Sequence, residues 1–205
     1  MGKAICTPLK NGVVLAELGG HGDGPYCARH GAGAALVMLG TYIVHPEDGV
    51  PYPPRFVFRP GRAHYAGYLQ EHVQAARASE ALIGVSVVSV KPADSVDFLL
   101  AAEEAGADYV SLCAHSTMEM FLRTNTSSAL CYRRNWAALR EWAGAIVEAV
   151  RVPAIFKLGM DDAPDMLGAV DVLIEAGVPV IHMNVRCVDE GSAGLQMLRR
   201  LAEKE

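Results

Sequence analysis

Residues 12–44, GVVLAELGGHGDGPYCARHGAGAALVMLGTYIV, hold two apolar runs separated by a glycine-rich turn and a helix-sized stretch. The first run, 13–18, stops at Gly19-Gly20-His21-Gly22-Asp23, and the second covers 35–41. Neither alternates with polar residues, so both faces of each strand are expected to be covered, as in a parallel sheet between helices. Strand, turn, helix and second strand make one βα unit, and the rest of the chain repeats it.

Four further apolar runs of strand length follow, at 82–88, 109–113, 154–158 and 180–184. Helical patterns lie at 25–30, 63–78, 95–105, 136–150, 163–176 and 193–204. The joints share one grammar: Ala105-Gly106-Ala107-Asp108 before the fourth strand, Ala176-Gly177-Val178-Pro179 before the sixth, and Gly31-Ala32-Gly33-Ala34 before the second. A glycine just past a helix end accepts the left-handed backbone that ends the helix. Right-handed crossovers between successive parallel strands then favour a barrel or a doubly wound sheet. Residues 45–60, HPEDGVPYPPRFVFRP, carry five prolines and read as an ordered insertion after the second strand. The expectation is one domain over 1–205, an incomplete TIM-barrel-like α/β fold of about six βα units. A complete eight-unit barrel takes about 250 residues, and 205 are present.

The composition, 51% hydrophobic and 20% charged, fits a globular protein with one sizeable core. A net charge of −5 argues against a general nucleic-acid surface, and the Arg55/Arg59/Arg62 and Arg133/Arg134 clusters read as solvated faces. No apolar run approaches the ~20 residues that span a bilayer. The N-terminus lacks the apolar stretch of a signal peptide, and Thr7 stands one place late for a myristoylation motif. The five cysteines, Cys6, Cys27, Cys113, Cys131 and Cys187, are scattered without a CxxC, so reduced thiols and a cytoplasmic location are expected.

In a parallel α/β sheet, chemistry collects beyond the C-terminal strand ends. Those ends carry Glu17 and Gly19-Gly20-His21, then Gly40-Thr41, Ser86 and Ser89, Cys113 and His115, Lys157, and finally His182, Asn184 and Arg186. Lys157, between Phe156 and Leu158, is costly inside a core unless it meets a ligand or pairs with Asp161 or Glu17. Cys113 and His115 share a strand face, the arrangement a Cys–His nucleophile pair would need, although an ordinary buried cysteine fits as well. His21, Asp23, Cys27 and His30 lack metal-site spacing, so no metal is expected and Asp23 reads as a helix cap. Thr124-Asn125-Thr126-Ser127-Ser128 could offer backbone N–H groups to an anion.

These positions together resemble the flavin-dependent dihydrouridine synthases and their short archaeal-type relatives, within the dihydroorotate dehydrogenase-like group. VVLAELGGHGDGPY is similar to that family's LAPMAGVTDLPF, LIGVSVVSVKPADS to PLGVQLFGSDPE, AVRVPAIFKLGMDD to AVKIPVTVKIRLGWDD, and EAGVPVIHMNVR to EAGVDALTVHGR. EAGADYVSLCAHST resembles GADIIDINMGCP. The resemblance implies FMN, held by Ala16, Glu17, Gly19, Gly20, Ser86, Lys157, Asn184 and Arg186. It places Lys157 against the flavin ring and Ser116 near the family's general-acid cysteine, so Lys157, Ser116, Cys113 and His115 are the candidate catalytic residues. Ser86 and Asn184 replace the family's Gln and His, and the last two strands that anchor the FMN phosphate have no counterpart. The expected function is therefore an FMN-dependent oxidoreductase acting on a small molecule, and not tRNA dihydrouridine synthesis. The alternative is a flavin-free barrel protein, enzyme or binding subunit, that holds an anionic metabolite with Lys157, Arg186 and the His21 turn. Open sheet edges also predict a homo-oligomer or a covering partner.

Overall fold

The computed structural model describes residues 9, 12–160 and 163–184. Cys6, Asp161, Arg186, Cys187 and the helix expected at 193–204 lie outside them. Seven strands, β1 (Val14–Leu15), β2 (Leu36–Val44), β3 (Val57–Phe58), β4 (Leu82–Ser89), β5 (Tyr109–Ala114), β6 (Ala154–Gly159) and β7 (Val180–Asn184), form one sheet. All ladders are parallel, along the path β1-β2-β4-β5-β6-β7, with β3 pairing the end of β2. Between them run α1 (Gly24–His30), α2 (Ala66–Ala76), α3 (Pro92–Glu104), α4 (Glu119–Arg123), α5 (Trp136–Ala149) and α6 (Met166–Glu175). This is an incomplete TIM-barrel-like α/β fold with six strands on the main path, as the βα rhythm implies.

The outer face of the sheet and the inner faces of the helices make the main core. Val37, Leu39, Tyr42 and Val44 of β2 pack there with Val85, Val87, Val110, Leu112, Phe156 and Phe98. In α5, Leu139, Trp142, Ala143 and Ile146 are buried at the i, i+3, i+4, i+7 spacing that puts them on one stripe. Each such side chain removed from water contributes about 1.5–3 kcal/mol. At the joints Gly106 (φ +96°) and Gly177 (φ +78°) take the left-handed backbone that ends α3 and α6.

Side chains of the other strand face point into the curl of the sheet, where two apolar clusters form. Leu36, Met38, Tyr109 and Ile155 make the lower one. Ile43, Val88, Cys113 and Phe121 make the one nearer the C-terminal strand ends. Because side chains on one strand face repeat every two residues, Ser111, between Tyr109 and Cys113, and Lys157, two beyond Ile155, face the same interior, Ser111 level with Ile155 and Lys157 level with Cys113.

Two elements depart from the sequence expectation. β1 is two residues long instead of six, because among the described residues it pairs only with β2, and Val13 beside it is 71% exposed. β2 runs three residues further than expected, because β4 on one side and β3 on the other continue its ladder to Val44. The 45–60 insertion supplies that short β3. Among the described residues no helix is long and apolar enough to cross a membrane.

A candidate active site inside the half-barrel

Register brings three polar residues of adjacent strands into one row, Cys113 beside Lys157 and Lys157 beside His182. Glu17 lies two residues past β1, which pairs only with β2 in the sheet. Its side chain crosses the interior to the far strands, with Oε1 3.1 Å from Lys157 Nζ and Oε2 3.9 Å from His182 Nδ1. The Glu17 and Lys157 side chains are 2% and 9% exposed, and that of His182 is 29% exposed. The pairing of Lys157 with Glu17 is thus present in the structure, while Asp161 lies outside the described residues.

Hydroxyls surround the pair. Ser86 Oγ donates to Glu17 Oε1 (3.4 Å) and shares a hydrogen bond with Thr41 Oγ1 (3.2 Å). Above them, the Tyr52 hydroxyl donates to the Thr41 carbonyl (3.1 Å). Two buried acceptors, Glu17 Oε2 and Ser111 Oγ, have no hydrogen-bond partner among the described residues. An unsatisfied buried polar group costs about 1–3 kcal/mol, and desolvating an ion pair costs several kcal/mol per ion. A chain selected only for stability would put apolar side chains here. Such a cluster at the C-terminal strand ends points to a site.

Local fields sort the titratable groups. Burial pushes the His182 imidazole below its ordinary value; Glu17 opposes that shift, while Lys157 and His115 add to it. The ring is therefore neutral at neutral pH and able to take a proton. Burial, with the Glu17 carboxylate nearby, pushes the Cys113 thiol up to about 11, so it stays protonated, the opposite of an activated thiolate. Burial raises the Tyr52 phenol to about 12. His115 Nε2 and Asn184 Nδ2 share a hydrogen bond of 2.7 Å. His115 therefore joins β7 through Asn184, and its backbone N–H lies against the Cys113 thiol.

The glycine turn has a different neighbour from the one the sequence suggests. A Cβ on Gly19 would stand 2.6 Å from the Tyr52 hydroxyl, and one on Gly20 (φ +77°) 2.7 Å from Pro53 Cγ. The turn accommodates the chain's own proline-rich insertion, which closes over the first strand end. Asp23 caps α1 by accepting from Tyr26 N (2.9 Å), and Cys27 Sγ faces the Met38 carbonyl in the core (3.8 Å). His21 lies on an exposed groove with Arg29 and Arg55.

Of the expected site residues, Glu17, Ser86, Cys113 and Lys157 converge, with His115 and Asn184 beside them. Ser116 turns away: its hydroxyl accepts from Met118 N (3.3 Å), and its own N–H donates to Ser127 Oγ (2.8 Å). The 124–128 loop is buried from Thr126 to Ser128, and its Ser127 hydroxyl donates to the Cys113 carbonyl (3.0 Å). Ser127 therefore ties the loop to the end of β5 and to Ser116. Ala16 lines a cavity between the two sheet edges, and Arg186 lies outside the described residues. Tyr52 and Ser111 were not anticipated. Ser111 could have been found from its place two residues before Cys113 on the same face; nothing local marks Tyr52.

No family model matches the chain, and no curated protein matches it. Solved structures do. A putative dihydrodipicolinate synthetase from Pseudomonas aeruginosa matches over 94% of this chain at 16% identity with a TM-score of 0.58. The chain spans 61% of that protein's length. A dihydrodipicolinate synthase matches over 84% of this chain and 64% of its own at 12% identity, with a TM-score of 0.48. A 2,3-dimethylmalate lyase, of the PEP mutase/isocitrate lyase superfamily, matches over 94% and 59% at 18% identity, with a TM-score of 0.47. At these identities the likeness is one of fold.

These findings correct the flavin expectation. The structure that shares the fold at a TM-score of 0.58 is a putative dihydrodipicolinate synthetase by name, not a dihydrouridine synthase or dihydroorotate dehydrogenase, and no family model supports that membership. The geometry gives the physical reason: Lys157, expected against a flavin ring, is spent on Glu17, and Tyr52 and Pro53 fill the space beside Gly19 and Gly20. The FMN-dependent oxidoreductase reading is withdrawn, together with the FMN-binding roles of Ala16, Glu17, Gly19, Gly20, Ser86, Lys157, Asn184 and Arg186.

Proposed function

We propose that the chain is a non-redox enzyme acting on a small anionic carbonyl compound, with Lys157 as the group that meets the carbonyl carbon. The observation that carries this reading is the buried Lys157–Glu17 pair at 3.1 Å, with His182 at its open side. A lysine amine in a desolvated site is suited to Schiff-base chemistry once a neighbour accepts its proton. Glu17 is in contact to take that proton. The amine then attacks the carbonyl carbon, a C–N bond forms, and loss of water leaves an iminium. That cation draws electrons from the adjacent C–C or C–H bond, which breaks or forms; hydrolysis returns Lys157. His182, neutral and partly open, moves the proton at the substrate's adjacent carbon, and the His115–Asn184 pair offers a donor to the substrate carboxylate. In support, a putative dihydrodipicolinate synthetase, non-redox by name, shares the fold.

The test is reductive trapping. Borohydride added with pyruvate to the purified protein gives a covalent adduct on the peptide containing Lys157, and Lys157→Met gives none. An absence of adduct in the unsubstituted protein refutes the reading.

The same reading takes residues 1–205 as one domain that assembles as a homo-oligomer in the cytoplasm. Supporting assembly, the β1 edge leaves Val13, Val14 and Leu18 exposed at 71%, 40% and 49%, and unpaired strand edges are usually covered. Buried Cys27, Cys113 and Cys131, none in a disulfide, fit a reducing compartment. A monodisperse monomer in light scattering counts against the assembly.

A further inference from the structure

Below the ionic cluster lies a cavity of about 230 Å³ between the two sheet edges. Its walls are apolar, Val14, Leu36, Met38, Ile155 and Val180 among them, and among the described residues His182 is the one ionisable group lining it. Ala16 and His182 also line it. Each lies two residues further along its strand than Val14 or Val180, so they mark the end nearer the strand C-termini. Ala16 is the residue before Glu17, and His182 Nδ1 is 3.9 Å from Glu17 Oε2, the buried carboxylate oxygen that lacks a hydrogen-bond partner. His182 is therefore common to the apolar cavity and the polar cluster.

An apolar cavity of ~150 Å³ is large enough to take a benzene molecule, and this one is larger. On the mouth side Tyr52 and Pro53 close over the first turn, whereas His182, at the β1–β7 gap, is the most exposed member of the ionic cluster. Approach through the gap would set an apolar tail among Met38, Leu36 and Ile155 and the polar head against His182, Glu17 and Lys157.

We infer that the ligand is an amphiphilic 2-oxo acid, whose carbonyl and carboxylate sit at the Lys157–Glu17–His182 cluster and whose aliphatic or aromatic tail fills the cavity between β1 and β7. This rests on the functional reading above and adds a tail specificity to it. The tail contributes affinity without chemistry, since each buried methylene tightens binding about fourfold.

The test is a chain-length series of straight 2-oxo acids, from pyruvate to 2-oxooctanoate, titrated calorimetrically into the unsubstituted protein and followed by borohydride trapping. Affinity is expected to rise about fourfold per carbon, roughly fiftyfold over three carbons, until the cavity is full. Ala16→Phe, at an exposed position that a larger side chain can occupy without disturbing the core, fills the cavity end and flattens the series. Pyruvate trapped at Lys157 with no gain in affinity along the series overturns this inference alone. If neither pyruvate nor any longer acid is trapped, the functional reading falls and the inference falls with it. A rising series that Ala16→Phe leaves unchanged places the tail elsewhere and overturns the assignment to this cavity.

Discussion

Replacing Lys157 by Met removes the cation that faces Glu17 and leaves a carboxylate whose side chain is 2% exposed. What then remains near it is Ser86 Oγ at 3.4 Å and a neutral His182 at 3.9 Å. Breaking one partner of a buried pair costs about 3–5 kcal/mol. The lower end applies here, because the His182 side of the cluster admits water, so Lys157→Met is expected to cost about 3 kcal/mol. Glu17→Gln strands the ammonium instead and costs a similar amount. The combined Glu17→Gln, Lys157→Met variant carries no uncompensated charge and is expected within about 1 kcal/mol of the starting protein, or above it. Urea unfolding followed by circular dichroism measures all four proteins. With an m-value of about 2 kcal/mol/M, each single substitution lowers the midpoint by about 1.5 M and the pair restores it. A double variant that loses the sum, about 6 kcal/mol, would show that the two residues contribute independently. The reasoning that the pair is held at the expense of stability, for chemistry, would then be wrong.

Three further outcomes follow from the structure. The folded-state pKa of His182 lies below its ordinary 6.5, so the unfolded chain binds more protons between the two values. Its contribution is thus complete above about pH 6.5 and is lost as pH falls toward the folded value; His182→Gln is expected to flatten the acid side of a stability–pH profile, and an unchanged slope counts against burial as the cause. Gly20→Ala forces a side chain into a left-handed backbone and against Pro53 Cγ at 2.7 Å, for a loss of about 2 kcal/mol or more. Gly144→Ala, in mid-α5 with no atom within 4 Å of the added carbon, is expected to stabilise by about 0.5–1 kcal/mol in the same urea unfolding. Equal effects at the two glycines would refute the packing of the insertion on the turn.

The architecture was largely legible because buried parallel strands and left-handed glycine joints are local signals. β4, β5 and β6 lie within a residue or so of their apolar runs, and Gly106 and Gly177 sit where the joints require. β1 was over-read, since an apolar run does not reveal that only one neighbour pairs with it. The site was legible as a set of strand-end residues but not as an arrangement. That Cys113, Lys157 and His182 form one row depends on ladder register, and that Glu17 crosses to Lys157 depends on how the sheet curls. Tyr52 and Pro53 reach the Gly19-Gly20 turn through a contact distant in sequence, so the glycines looked like room for a ligand. The flavin resemblance failed for a related reason. Glycine turns and a strand-end lysine answer to the demands of parallel-barrel geometry, which many chemistries share.

The central claim is that Lys157 is a carbonyl-directed amine, and borohydride trapping with pyruvate tests it most directly. The account predicts a reduced adduct on the Lys157 peptide, slowed in Glu17→Gln and absent in Lys157→Met. A protein that yields no adduct, or one that is modified equally after Lys157→Met, would contradict it.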